Sequence, residues 1–197
     1  RMFWQESPYA IPLLFSTLAS AGLAVHIWQH RPTAGATPFA ALMLAVAFWS
    51  LFSALEAISL TLAAKLFWGN CQYLGIVVVP TAWLVFVLDY TGRRALLPRP
   101  YFYLLISEPL ATIILAWTNA DHGLMRSRAW LEYPDGVAIL AVEMGTWFWV
   151  HAAYSYALLL LGILLLFPVV FRSPFLYRRQ AATVVVGPIL FKGLRGE

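Results

Sequence analysis

Charge is scarce in this sequence. Only 11% of its 197 residues are Asp, Glu, Lys or Arg, whereas 61% are hydrophobic, and the mean hydropathy is +0.75. A soluble domain of this size carries charge on roughly a quarter of its residues. The shortage therefore excludes an ordinary soluble protein and indicates an integral membrane protein. The apolar runs are long and continuous, which favours transmembrane helices over the short alternating strands of a membrane barrel.

Cysteine and lysine are almost absent. The single cysteine, Cys71, excludes an internal disulfide and a CxxC site. The two lysines, Lys65 and Lys192, fall outside the predicted full-length spans, so a retinal Schiff base in the middle of the bundle is not expected. The sequence carries no Walker A, HExxH or GxSxG motif, no clustered Cys and His, and no kinase motif. We therefore predict no enzyme activity, no metal and no cofactor.

Five apolar runs approach or exceed the ~20 residues that a spanning helix needs. Together they predict one membrane domain over residues 1–197, with an all-α fold: a polytopic transmembrane helical bundle with a short extracytoplasmic β-hairpin loop. The predicted spans are about 9–28, 38–64, 68–90, 101–117 and 145–171, with a partial sixth run at 178–191.

The basic residues predict the orientation. The net charge of +4 resides mostly in short loops, which argues for membrane anchoring and against a nucleic-acid partner. The loops after spans one, three and five hold Arg31, Arg93, Arg94, Arg99, Arg172, Arg178 and Arg179, and the other loops hold only Lys65, Arg126 and Arg128. Because basic loops stay in the cytoplasm, the N-terminus is predicted to lie outside the plasma membrane.

The loop at 118–144 is unusually long for a connection between spans. Its sequence AWLEY-PDG-VAILAV predicts two short strands around a Pro-Asp-Gly turn. Long ordered loops are often functional. We expect this loop to cover the outer mouth of the bundle through its apolar side chains, which are Trp130, Leu131, Tyr133, Ile139 and Leu140.

Ionisable residues inside the spans are the candidate functional groups, because they are costly in lipid and normally face the bundle interior. At 1.5 Å per residue, Glu56 and His151 are expected at similar depths, roughly 12 Å and 9 Å below the outer end. They form either a static buried pair or part of an outer-half cavity. Helical spacing places aromatic side chains on the same faces. The predicted ligand-binding residues are Glu56, Asn70, Tyr73, Trp83, Glu108, Trp147, His151 and Tyr154.

Three positions are predicted to be structural or hinge residues. Pro80 removes a backbone hydrogen bond in the middle of span three. Gly92, in the stretch TGRR, is expected at the helix exit, and Pro109 lies within span four. Asp89 is expected to form a local ion pair with Arg93. Asp121 and His122 are expected to anchor the loop through backbone hydrogen bonds rather than to bind a metal.

Several motifs together resemble a known family. They are LEAISL, KLFWGNCQYLGIVVVPTAW, LDYTGR, SEPLATIILAWTNADHGL and GTWFWVHAAYSYALLLLG. The sequence from about 39 to 180 is similar to the N-terminal seven-transmembrane sensor region of prokaryotic histidine kinases, including forms from haloarchaea. The landmark positions of this resemblance are Glu56, Trp68, Tyr73, Pro80, Tyr90, Thr91, Gly92, Pro109, Thr118, Asn119 and His122.

The resemblance implies a membrane input module that detects an extracytoplasmic or membrane-soluble small ligand. Such regions continue through two further spans into a cytoplasmic effector, and this sequence is expected to lack the seventh span and the effector. The expected partners are membrane lipid, an unknown small ligand, a cytoplasmic signalling domain in cis or trans, and a second copy in a homodimer. Two alternatives stay open: a transporter or proton-relay subunit, and a structural subunit of a membrane complex.

Overall fold

The computed structural model describes Gln5, residues 7–29 and residues 33–172. Five apolar helices in this part are long enough to cross a membrane, with α3 and α4 counted as one unit, Leu62–Tyr90. The predicted all-α polytopic bundle is thereby confirmed. Its elements are α1 (Ala10–Gln29), α2 (Ala36–Ile58), α3 (Leu62–Ile76), α4 (Val78–Tyr90), α5 (Arg99–Trp117), α6 (Asn119–His122), β1 (Arg126–Glu132), β2 (Ile139–Met144) and α7 (Thr146–Arg172).

The boundary between the second and third spans differs from the prediction. Helix α2 ends at Ile58, because Ser59 is extended, and Thr61 is the N-cap of α3, accepting a hydrogen bond from the Ala64 amide at 3.3 Å. The apolar sequence around this cap concealed the break. Lys65, expected in a loop, therefore lies inside α3 and is 1% exposed. The partial sixth run at 178–191 lies outside the described residues.

The third span is broken in the middle. Val77 separates α3 from α4, three residues before Pro80. Proline has no amide hydrogen and clashes with the carbonyl four residues earlier, which here belongs to Ile76. In contrast, α5 runs without interruption through Pro109. Hinge motion at either proline stays a prediction.

Glycine ends α4 as predicted. Gly92 has φ +70°, its amide donates to Asp89 O at 3.1 Å, and the Arg93 amide donates to Leu88 O at 2.7 Å. This pair of bonds is a Schellman motif, which satisfies the last carbonyls of the helix. The expected partner of Asp89 was wrong. Its carboxylate pairs with Arg94 at 3.2 Å, because Arg93 turns toward α7 and donates to Leu165 O at 3.4 Å.

Helix α2 lies at the centre of the packing, against α1, α3 and α4, and α4 packs in turn on α7. Two glycines permit close approach. A Cβ on Gly75 of α3 would lie 2.4 Å from Ala45 O of α2, and one on Gly162 of α7 would lie 2.2 Å from the Trp83 Nε1 of α4. Small residues of this kind let transmembrane backbones come together.

The predicted β-hairpin is confirmed. Strand β1 pairs antiparallel with β2, and a short 3-10 turn at Pro134–Gly136 joins them. The expected cover forms only in part: Leu131 and Leu140 are half-buried, but Trp130, Tyr133 and Ile139 remain 39%, 62% and 40% exposed. The hairpin is instead anchored at its ends, where Met125 is fully buried and Ala138 is 2% exposed.

Gln5 ties three distant segments together at the hairpin end of the bundle. Its amide nitrogen Nε2 donates to Ala57 O of α2 and to Ala138 O, both at 2.8 Å. Its Oε1 accepts from the Ala138 amide at 2.9 Å, and its backbone amide donates to Ile58 O at 2.8 Å. These bonds also satisfy carbonyls at the C-terminal end of α2, which have no partner within the helix.

Candidate functional site

A buried polar cluster joins α5 to α7, which we call the α5–α7 cluster. Glu108 Oε1 lies 2.9 Å from His151 Nδ1, and their side chains are 13% and 5% exposed. The Thr112 hydroxyl donates to the same Glu108 oxygen at 2.7 Å, and the Trp147 indole donates to Thr112 Oγ1 at 2.9 Å. Ser155 Oγ lies 3.4 Å from His151 Nε2. These five residues thus form one connected chain of polar contacts.

One acceptor of this cluster is unused. Glu108 Oε2 is buried and has no hydrogen-bond partner among the described residues. An unpaired buried carboxylate oxygen costs free energy. Tyr154 lies nearby on α7, but its hydroxyl donates to Leu105 O at 2.6 Å. A carboxylate and an imidazole in direct contact can share or pass a proton. No group of three metal-ligating side chains occurs in the described part of the chain.

Glu56 is not the partner of His151, so the static buried pair, one of the two arrangements left open by the sequence, does not form. The Glu56 Oε2 accepts from Gln72 Nε2 at 2.8 Å, and its backbone carbonyl accepts from Lys65 Nζ at 2.8 Å. The early start of α3 brings Lys65 back beside the end of α2. Depth alone predicted that Glu56 and His151 could meet, whereas His151 pairs across the bundle with Glu108 on α5.

The aromatic residues of the predicted cavity are dispersed. Tyr73 contacts the His151 ring edge-on, with centroids 6.3 Å apart, and Trp147 packs on the same buried cluster as Tyr73. Trp83 faces α7 instead, where its indole donates to Leu159 O at 3.2 Å. Of the eight predicted site residues, five lie in or beside the α5–α7 cluster, namely Tyr73, Glu108, Trp147, His151 and Tyr154, whereas Glu56, Asn70 and Trp83 lie outside it.

A groove of about 700 Å³ opens at the hairpin end, between α3, the α5–α6 junction and β1. We call it the hairpin groove. Of the predicted ligand-binding residues, Asn70 lies in it, and the other lining residues were not predicted to bind a ligand. An apolar wall includes Phe67 and Trp117, whose rings meet edge-on with centroids 5.8 Å apart. The polar and charged lining comprises Asn70, Asn119, Asp121, His122, Arg126, Ser127 and Arg128.

Arg126 is the buried cation of this groove. The residue is 8% exposed, and its Nη2 donates to Asn70 Oδ1. Its Nε is buried without a partner among the described residues. Burial lowers the pKa of the Arg126 guanidinium from its ordinary value, and the charges of Tyr73 and Glu56 act in the opposite direction. An arginine stays charged in such a site.

Asn119 and His122 hold the turn that leads into β1. Asn119 Oδ1 accepts from the amides of Met125 at 2.8 Å and Arg126 at 3.0 Å, and its Nδ2 donates to Arg126 O at 2.9 Å. His122 Nδ1 accepts from the Leu124 amide at 3.0 Å. The expected role of His122 as a loop anchor bonded to backbone is confirmed. For Asp121 the same role stays a prediction.

The sequence matches the protein family described as the N-terminal 7TM region of histidine kinase, and the match extends over residues 12–191. The chain belongs to this family. The resemblance inferred from its motifs is thereby confirmed. No curated protein and no solved structure matched the chain.

Several landmark positions of the family resemblance have a structural basis in this chain. Asn119 and His122 organise the entry to β1, Pro80 follows the break in the third span, and Gly92 ends α4. Sequence reasoning missed Thr112, Ser155 and Arg126. Thr112 and Ser155 each follow a selected residue by four positions on a helix, which was a usable signal. Arg126 had no such signal, because it had been counted only as a loop charge.

Proposed function

We propose that this chain is the input domain of a membrane histidine kinase, and that a small extracytoplasmic ligand bound in the hairpin groove changes the activity of a cytoplasmic kinase. The observation that carries this proposal is that packing and backbone hydrogen bonds connect the groove to the start of α7. Ala116 lines the groove, and it belongs to the buried cluster with Tyr73 and Met125 on which Trp147 packs.

Backbone hydrogen bonds fix the groove to the start of α7. The Gly145 amide donates to Met125 O at 3.0 Å, and the Trp147 amide donates to Leu124 O at 2.9 Å. Leu124 and Met125 directly precede Arg126 of the groove. A ligand that moves β1 therefore acts on the first turn of α7 and, through Trp147, on the α5–α7 cluster. Helix α7 then extends through 27 residues toward the other end of the bundle.

This mechanism requires a ligand with different affinities for two helix arrangements, since only differential affinity shifts an equilibrium. The α5–α7 cluster supplies a polar contact that such a shift would make or break. Glu108 and His151 reside on different helices, so sliding of α7 along α5 would change their separation. During this movement α2 and α3 would stay together, because Lys65 and Gln72 of α3 donate hydrogen bonds to Glu56 of α2.

The test joins the chain to a histidine kinase core in nanodiscs and follows autophosphorylation during addition of a defined panel of small organic acids, amines and sugars. We expect at least one class to change the rate. Ala63→Trp, which fills the groove from an exposed position on α3, should abolish the response. Ala157→Trp, on the exposed face of α7, is the matched control and should retain it. A response that survives Ala63→Trp would refute the groove as the input site.

A second candidate function is proton relay or transport, and the buried Glu108–His151 pair favours it. Reconstituted liposomes separate the two functions. Substrate-dependent or proton flux above that of empty vesicles, lost in Glu108→Gln, would support transport. Kinase control without flux would support the input domain.

A further inference from the structure

The hairpin groove contains a buried positive charge that forms no ion pair among the described residues. Among the described residues, no acidic side chain lies within 4.0 Å of the Arg126 guanidinium, although the residue is only 8% exposed. Buried charges in proteins are normally paired, because removing a charge from water is costly. Glu56 is near enough to stabilise this charge, but its Oε2 accepts from Gln72.

The guanidinium also has unused donors. An arginine side chain has five N–H groups, and the acceptor that the described residues provide is Asn70 Oδ1. Nε is buried and unpartnered. The planar arrangement of these donors suits a carboxylate, which can accept two parallel hydrogen bonds.

The other charges of the groove add to the same preference. Arg128 lines it as well, and its contact with Glu143 is long, at 3.9 Å, with both side chains largely exposed. Asp121 is the acidic residue among the described lining residues, against the two arginines. The field in the groove is therefore positive on balance, which attracts anions.

The size and the apolar wall indicate more than an inorganic ion. A volume of about 700 Å³ falls within the range of small-molecule sites. Phe67 and Trp117 offer aromatic surface on the side of the groove formed by α3 and α5. A ligand with an apolar body and one charged group would use both parts of the site.

We infer that the hairpin groove binds a small organic anion, a carboxylate on an apolar body, with the Arg126 guanidinium holding the charged group and Phe67 and Trp117 contacting the body. This inference rests on the proposed function, since it names the chemical class of the ligand for the same groove. Asn70 is a positioning residue that orients the guanidinium.

The experiment uses the full chain in phosphatidylcholine nanodiscs and 4-fluorobenzoate as the probe, observed by fluorine NMR. We expect saturable line broadening. Uncharged 4-fluorobenzamide should bind at least about tenfold more weakly, because hydrogen bonds to a charged acceptor are the stronger ones. Arg126→Gln should weaken 4-fluorobenzoate binding by about ten- to a hundredfold. Arg94→Gln is the control, because Arg94 is an exposed arginine that follows α4 and does not line the groove. It makes the same change in net charge and should leave binding unchanged.

A second variant tests the site without removing the buried arginine. Asn70→Asp keeps the side chain's size and places a carboxylate against the guanidinium, so the bound anion should be lost while the fold is retained. Each of three results would overturn the inference. They are an unchanged affinity of Asn70→Asp for 4-fluorobenzoate, equal affinities for 4-fluorobenzoate and 4-fluorobenzamide, and no saturable binding of 4-fluorobenzoate by the unmodified chain.

Phosphatidylglycerol nanodiscs distinguish a free anion from a lipid headgroup. The negative surface of these nanodiscs lowers the local concentration of 4-fluorobenzoate, so its apparent affinity should fall several-fold. A decrease of only this size supports a free organic anion as the ligand. A larger loss would assign the site to a lipid phosphate and overturn the inference. Anion binding without kinase control would refute the proposed function alone, and kinase control by uncharged ligands only would refute the anion site alone.

Discussion

Gly75→Ala should separate α3 from α2 and destabilise the bundle. The added Cβ would lie 2.4 Å from Ala45 O, 2.8 Å from Trp49 N and 3.0 Å from Trp49 Cβ, whereas ordinary contact begins at 3.4 Å. The overlap with the carbonyl oxygen is thus 3.4 − 2.4 = 1.0 Å, and two of the three atoms belong to a helix backbone. Because a backbone cannot rotate away as a side chain can, the two helices must move apart.

The expected net effect follows from two opposing contributions. Overpacking of this kind costs about 1–3 kcal/mol, and the strength of this overlap favours the upper part of that range. Replacing a helical glycine by alanine returns up to about 1 kcal/mol. We expect the free energy of unfolding of Gly75→Ala to fall by about 1–2 kcal/mol.

Gly22→Ala is the matched control, because nothing lies within 4 Å of its added Cβ on α1. It should be neutral or stabilise the chain by up to about 1 kcal/mol. The assay is reversible unfolding in mixed micelles of increasing denaturing-detergent fraction, followed by circular dichroism. Equal unfolding free energies for the two variants would contradict the close α2–α3 contact.

Two further predictions concern the polar contacts. Asn119→Ala should leave the buried Met125 amide without an acceptor and destabilise the turn before β1 by about 1–3 kcal/mol, which hydrogen exchange would detect as faster exchange at the Met125 and Arg126 amides. Ser127→Ala is the control, because it removes only a 3.3 Å hydrogen bond and should change the exchange rates little. Equal exchange rates in the two variants would contradict this role of Asn119. A double-mutant cycle of Glu108→Gln and His151→Gln should give a coupling energy of about 1.5–3 kcal/mol. The exposed Asp89–Arg94 pair is the control and should give a coupling energy of less than about 1 kcal/mol. Equal coupling energies would contradict a stronger interaction in the buried pair.

The architecture was largely accessible from the sequence, since hydropathy and length are properties of single segments. The bounds of α1, α5 and α7 lie within two residues of their predicted positions. The error at Lys65 arose because a helix break flanked by apolar residues resembles a continuous span. One extended residue, Ser59, and one capping threonine decide that boundary, and neither alters the mean hydropathy.

The site was accessible only in part, because contacts between helices depend on their rotation about their axes. The ionisable residues were found individually, but depth along the membrane normal could not distinguish Glu56 from Glu108 as the partner of His151. The predicted pairing of Asp89 with Arg93 was wrong for a related reason, since Arg93 bonds to a carbonyl of α7 that local sequence does not reveal. The buried environment of Arg126 likewise follows from its docking beside Asn70, not from its neighbours in β1.

The four hydrogen bonds of Gln5 have a mechanical consequence. The side chain of Gln5 bonds to the last turn of α2 and to Ala138, the residue just before β2, and its backbone amide bonds to Ile58. Movement of the hairpin away from the bundle must therefore either displace the end of α2 or break the hydrogen bonds of Gln5. A ligand that displaces the hairpin would therefore act on two parts of the bundle. It would act on α7 through β2, and on α2 through the hydrogen bonds of Gln5.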